Sequence, residues 1–407
     1  MKHICRALLA GVGLLALTGG AMAQGKVSDD VVKIGLLLDM TGPYADSGGP
    51  GSVLAARMAI EDFGGTVLGK PIEIIYADHQ NKPDIASARA REWFDTGKVD
   101  AITDVAASAT AIAVVDVGKA KNKPVLIAAA AGGSSRLTNE DCSPISIHWT
   151  YNTQTLAKVA ANAITKTGGD SWFFVSADYT FGHSLEQDTA ALVKAAGGKV
   201  MGAVRHPLGT ADFSSYILQA QASKAKVIGL ANSGSDTVNA VKAAHEFGVV
   251  AAGQSIAGLL MYISDVHALG LETTQGMLYA DGFYWDRNDE TRAWAKRFFE
   301  RHKRMPTAAQ AGEYSAVMHY LKAVQAAGTD STDEVMAKMR EMPVNDIFAK
   351  DGKVRADGAM VHPMYLVQVK KPSESKYPWD YLTIKQEVSA EEAFQPLSES
   401  RCSLVKK

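Results

Sequence analysis

Few side chains in this sequence are spaced for covalent chemistry. It contains no GxSxG elbow, no HExxH pair, no CxxC, no Walker loop and no GxGxxG fingerprint after a strand. Each of those patterns uses its spacing to place a nucleophile, a metal or a phosphate cradle. The ten histidines are scattered, and none pairs with another at helical ligand spacing beside a carboxylate. His79, His148 and His183 fall near strand ends and could face a cleft; a hydrogen-bonded or exposed ring is the plainer alternative. Asp39, Asp78, Asp104 and Asp178 also follow strands. A carboxylate there could serve as an acid or a metal ligand, or could bond turn amides. A hydrolase needs a nucleophile with a base in reach, and the sequence shows no such set. The expectation is a protein that is not an enzyme, with no catalytic residue, no cofactor and no metal.

What remains is a set of loops suited to binding. The first, 39–51, is long and Gly-rich and leads into a helix. The next, Ala106-Ala107-Ser108-Ala109-Thr110, and the one over 128–135, with Ala131, Gly132, Gly133, Ser134 and Ser135, are built from small residues. Small residues let a ligand approach the backbone, and amides at a helix start bind an anion such as a carboxylate. The alternative is that Ala and Gly only allow close strand–helix packing. Aromatic residues gather at other predicted cleft edges: Tyr44, Trp149, Tyr151, Tyr179, Phe181 and Tyr262, with Phe283, Tyr284 and Trp285. Flat rings beside polar strand ends suit an aromatic or apolar ligand body.

Those loops need strands and helices to hold them. Residues 31–38 form a short apolar run bounded by turn signals, which reads as a buried parallel strand. A helix over 51–63, a strand over 71–76, a helix over 83–94 and a strand over 101–105 follow. A helix over 110–121 and a strand over 125–130 complete the set. The alternation then restarts: helix 156–167, strand 171–177, helix 185–196, strand 199–206, helix 213–223, strand 227–231 and helix 236–247. Such alternation predicts right-handed βαβ crossovers and doubly wound sheets. Two sets predict an α/β protein of two Rossmann-like lobes. Three extended, aromatic-rich runs, 145–151, 277–285 and 364–370, read as hinge crossovers. With helices at 290–302 and 311–327 returning to the first lobe, the expected division is 28–146 and 286–340 for lobe 1, and 147–285 and 341–407 for lobe 2.

Composition narrows the setting. Of the 407 residues 47% are hydrophobic and 21% charged, enough to bury a sizeable core. Lys2, His3 and Arg6 precede an apolar run of about a dozen residues, short of the roughly 20 that span a membrane. Ala21-Met22-Ala23 then gives a small-x-small cleavage pattern, so 1–23 reads as a cleavable leader for export to the periplasm. Without it the net charge moves from −2 to −4, with 40 basic against 44 acidic residues. No basic block could neutralise phosphates, which argues against nucleic acid as a partner. The exported chain keeps Cys142 and Cys402. An oxidising compartment favours joining them, which would tie the C-terminal tail to the body; two inert thiols are the alternative.

The layout resembles the periplasmic solute-binding proteins of ATP-driven transporters for branched-chain amino acids. The resemblance rests on Val-Lys-Ile-Gly-Leu-Leu-Leu-Asp-Met-Thr-Gly-Pro-Tyr (Val32 to Tyr44), Ala59-Ile60-Glu61-Asp62 and Asp178-Tyr179-Thr180-Phe181-Gly182, and it runs along the whole exported chain. It implies the type I fold, with solute captured between lobes that close by a hinge motion, and an inner-membrane ABC permease as partner. A monomer is the simplest expectation. The family's carboxylate-holding loops fall at Ala107-Ser108 and Ala131-Gly132-Gly133. Its second-lobe Tyr before Gly becomes Phe181, and a further Tyr falls at Ser233. The acid that pairs with a ligand ammonium falls at Leu260. A buried ammonium without a counter-charge is strongly disfavoured, so the loss of that acid points to a monocarboxylate with an aromatic or apolar body. The stretch Cys142-Ser143-Pro144 to His148-Trp149-Thr150-Tyr151, with Phe283-Tyr284-Trp285-Asp286, is similar to a subgroup that takes up benzoate- and cinnamate-type acids. An acid facing the cleft from lobe 2, such as Asp178 or Asp281, would instead favour an amine. A branched-chain amino acid, urea or a short amide therefore stays open as ligand, as does a sensor module feeding a signalling receptor.

Overall fold

The computed structural model describes residues 26–128 and 131–406. The leader read from the sequence, with Ala129 and Ala130 of the 128–135 loop, lies outside the described residues. Apolar strands with no polar alternation must be covered on both faces, and the chain does this twice. The first sheet comprises β1 (Val32–Leu38), β2 (Thr66–Val67), β3 (Lys70–Asp78), β4 (Ala101–Asp104), β5 (Val125–Ile127) and β6 (Ser146–His148). Its order is β2-β3-β1-β4-β5-β6, parallel except for the β2–β3 hairpin. The second sheet comprises β7 (Ser171–Ala177), β8 (Lys199–His206), β9 (Val227–Ala231) and β10 (Ser255–Gly258), parallel in the order β10-β9-β7-β8. These are the two lobes that the alternation predicts.

The three crossover runs behave as two kinds of element. The first run carries β6 and ends at Tyr151. The other two become β11 (Leu278–Asp281) and β14 (Met364–Val369), which pair antiparallel with each other. With β15 (Leu382–Val388) they form a third small sheet, β11-β14-β15. The hairpin of β12 (Lys353–Val354) and β13 (Met360–Val361) lies on the first-lobe side. There the His148 amide donates to Gly358 O (2.8 Å) and Arg340 Nη2 donates to Pro144 O (2.6 Å). The sequence reading put 341–362 in the second lobe; the turn between the two short strands instead pairs at the edge of β6, through Gly358 and Ala359 beside His148.

Helices cover both lobes. Gly49–Phe63 and Ala308–Ala327 pack together on the first. Thr180–Ala195 and Ser235–Glu246 flank the second. Cys142 and Cys402 form a disulfide with Cα atoms 5.7 Å apart. The tail it anchors touches both lobes. Lys158 Nζ donates to Phe394 O (2.9 Å) from the second lobe, and Asn139 Nδ2 donates to Gln395 Oε1 (3.3 Å) from the first. The bond joins residues 260 apart, so it restricts the unfolded chain strongly. Cys402→Ser is expected to lower unfolding free energy by about 2–4 kcal/mol. Denaturant melts should show the same loss when the wild type is reduced, and no further loss when the variant is.

Candidate functional site between the lobes

The carboxyl ends of β1, β4 and β5 face those of β7, β9 and β10, and the loops that leave them meet. On the first lobe the β1 loop is shaped by Asp39, whose carboxylate accepts from Gly42 N (2.6 Å), Tyr44 N (2.9 Å) and Asn81 Nδ2 (2.7 Å). Beside it the β4 loop turns sharply into the helix Ser108–Lys121. Asp104, Val105 and Ala107 all hold positive φ (68°, 59° and 62°). Strained non-glycine backbone of this kind persists where the surroundings over-determine it, and it concentrates at functional sites.

Ser108 braces two loops. Its hydroxyl donates to Ala131 O (3.0 Å) and accepts from Ser134 N (3.0 Å). His148 supports the same loop by donating from Nε2 to Gly132 O (3.0 Å), and burial pushes its pKa down to about 4, so the ring stays neutral. Ala131 N donates to the Tyr151 hydroxyl (3.2 Å). Gly133 lies against rings: a β-carbon there would stand 2.8 Å from Tyr151 and 3.5 Å from Phe181. Any larger residue would push these rings away from the backbone.

From the second lobe come Tyr179 and Phe181, with ring centroids 6.3 Å apart. Ser233 lies after β9, and Leu260 and Tyr262 after β10. The lobes are closed on each other. Tyr44 and Tyr179 share a hydroxyl hydrogen bond of 2.5 Å, Tyr151 and Tyr262 share another, and Ser134 Oγ meets Ser184 Oγ at 2.7 Å. Burial raises the pKa of all four phenols above the ordinary tyrosine value, so they stay protonated and can donate.

The carboxyls within electrostatic reach of these phenols are Asp39, Asp104, Asp236, Asp265 and Asp281. Burial pushes Asp281 up to about 8, and Asp104, Asp236 and Asp265 up to about 7. Asp104 also has Glu313 beside it, itself raised by burial and by the Asp104 charge. Sequence reasoning named Asp104 and Asp281 only as open possibilities and passed over Asp236. The Asp178 alternative falls away: its carboxylate is exposed and pairs with His183 (2.8 Å).

Most residues proposed from the sequence come together here: Tyr44, Ala107, Ser108, Ala131, Gly132, Gly133, Ser134, Tyr151, Tyr179 and Phe181, with Ser233 and Leu260 buried in adjoining loops. Trp149 does not. Its Nε1 donates to Ser315 Oγ (3.0 Å) and its ring lies 5.4 Å from that of His319, so it belongs to the first-lobe core under the helix Ala308–Ala327. Phe283 likewise packs against Trp294 and Phe348. Sequence reasoning left Tyr262 out of the ligand set, although it follows Leu260 by two residues. A separate groove of about 550 Å³, lined by Val241, Ala244, Val250, Ile256 and Met277 among others, opens near the amino end of β10. Ligands of open α/β sheets bind at the carboxyl ends, and the loops there carry the convergent polar groups, so the cleft is the stronger site.

A family model described as periplasmic binding protein matches residues 31–376. The curated relatives include Leu/Ile/Val-binding protein homolog 6 of Brucella melitensis, 31% identical over 273 residues, or 66% of this chain and 68% of the relative. A crystal structure of a periplasmic binding protein from Burkholderia mallei superposes with a TM-score of 0.90 at 53% identity, covering 93% of this chain and 100% of the other. A branched chain amino acid ABC transporter periplasmic ligand-binding protein from Burkholderia xenovorans gives 0.81 at 41% identity, covering 92% and 100%. A solute binding protein from R. palustris in complex with 4-hydroxybenzoate shares the fold, with a TM-score of 0.78 at 22% identity over 88% of this chain and 96% of the other.

The buried carboxyls make a pH prediction. A carboxyl whose pKa is higher folded than unfolded binds more protons in the folded state. Its contribution is full below about pH 4 and is lost as pH climbs through its folded pKa. Buried neutral histidines such as His79 and His148 act in the opposite sense up to about pH 6.5; above it, with Asp104 and Asp236 at about 7 and Asp281 at about 8, the melting temperature of the ligand-free protein should fall from pH 7 to pH 9. Asp281→Asn, neutral throughout, should flatten the upper part of that fall in calorimetric scans.

Proposed function

The chain belongs to the periplasmic binding protein family, and from that premise we propose that it captures a small monocarboxylate with an aromatic or apolar body. The solute passes to an inner-membrane ABC permease, and the leader over 1–23 directs the chain to the periplasm. The protein binds and does not catalyse, as the family does. We take the lobes as laid out from the sequence, except that β6, Trp149, Tyr151 and 341–362 go with the first. The observation that carries the ligand reading is the contact of Gly133 with the Tyr151 and Phe181 rings. There the loop suited to a carboxylate meets a flat apolar wall. The start of the helix Ser108–Lys121 and the 131–134 loop would hold the carboxylate through N–H and O–H dipoles. Tyr44, Tyr179, Phe181 and Leu260 would enclose the body. Phe181 in place of a tyrosine removes a polar group from that wall.

A second reading, a branched-chain amino acid or a short amide, is favoured by Asp281. Its carboxyl is buried within electrostatic reach of Tyr151 and Tyr262 and could serve an ammonium or amide that Leu260 cannot. A thermal-shift screen separates the two. The protein should be partly unfolded to strip carried-over solute, refolded, and tested against benzoates, cinnamates, leucine, urea and short aliphatic acids. A solute at about 100 times its Kd adds about 2.7 kcal/mol of stability. Shifts with aromatic acids alone support the first reading. Shifts with leucine or urea, abolished in Asp281→Asn, support the second and sink the first.

A further inference from the structure

The β1 loop of the first lobe is stiff. Asp39 ties down three donors, and Pro43 locks its own φ between two of them. The carbonyl of Pro43 reaches the second lobe, where it accepts a hydrogen bond of 3.0 Å from the amide of Ser235. Ser235 opens the helix Ser235–Glu246, so its N–H is one of those the helix itself leaves unpaired, and a carbonyl oxygen suits the positive end of the helix dipole. The residue before it is Gly234, with φ 62° and its α-carbon pressed on the same carbonyl. A β-carbon there would stand 2.1 Å from Pro43 O. Conformation and space both demand glycine.

We infer that the Pro43 carbonyl seated on the start of helix Ser235–Glu246 is a latch of the closed state, and that Gly234 is the positioning residue that permits it. The inference rests on the reading that solute is captured by closure, but not on which solute. The latch joins backbone to backbone beside the Tyr44–Tyr179 hydrogen bond and makes no use of a bound molecule. It therefore stabilises closure by the same amount whatever the cleft holds. Apparent affinity scales with the fraction of molecules in the competent state, so a weaker latch weakens every solute by one common factor. Loss of a wall residue such as Phe181 changes the ratio between solutes.

Two variants test this. Gly234→Ala introduces the clash. Ser235→Pro removes the N–H and sets the ring Cδ against the Pro43 carbonyl, at the first helical position, where proline is tolerated; it keeps the test decisive if the alanine variant folds poorly. Small-angle X-ray scattering of the ligand-free protein should show a larger radius of gyration for the variants than for the wild type. Calorimetric titration with benzoate and 4-hydroxybenzoate, and with leucine and valine, should show binding weakened about tenfold, equally within whichever pair binds. Unchanged scattering in both variants overturns the inference, as does a loss that differs severalfold between two solutes of one pair. If no solute of either pair binds, the ligand reading fails and the scattering alone decides the latch.

Discussion

Two pairs of phenol hydroxyls, Tyr44 with Tyr179 and Tyr151 with Tyr262, join one lobe to the other. Around this contact the rest is arranged. Burial among carboxyls keeps these phenols protonated, so each pair is a neutral hydroxyl–hydroxyl bond in which one phenol donates to the other. Ser108 and His148 then hold the 131–134 loop in place by bonds to its carbonyls and amide. The site is thus made of backbone on one side and rings on the other.

Its electrostatics are unusual for a proposed anion site. The charged groups acting on the phenols are aspartates. A carboxylate in this cleft must be held by oriented N–H and O–H dipoles, which are worth most where water is excluded. Such a solute would raise the neighbouring aspartate pKa values further and keep those groups neutral. An ammonium would do the reverse and draw Asp281 into its charged form. On this proposal the two solute classes would differ in the protonation of one side chain.

Much of this was legible in the sequence. The strands over 171–177 and 227–231 fall where the apolar runs put them, because a mostly buried strand leaves a nearly unbroken hydrophobic signature; the edge strand over 199–206 alternates instead between exposed and half-buried residues. The tie between Cys142 and Cys402 was one of two readings the sequence left open, and the structure joins them. Other features carry no local signature. β11 and β14 pair antiparallel across a long stretch of chain, and periodicity says nothing of such partners. Trp149 lies among polar residues in a crossover run, like Tyr151, yet its indole finds Ser315 on a helix far along the chain. The latch at Gly234 depends on a carbonyl from the other lobe. Asp236 escaped for a related reason: an Asp in the first turn of a helix looks the same in sequence whether it faces solvent or lies buried beside a closed cleft.

The most direct test of the central claim is a crystal structure of the mature protein with the solute that stabilises it most. The solute should lie between the lobes, its carboxylate on the Ser108 and Gly132–Ser134 loops and its body between Tyr151 and Phe181. A solute bound instead in the groove beside β10, or one in the cleft with its polar group on Asp281 and nothing on the 131–134 loop, would contradict it.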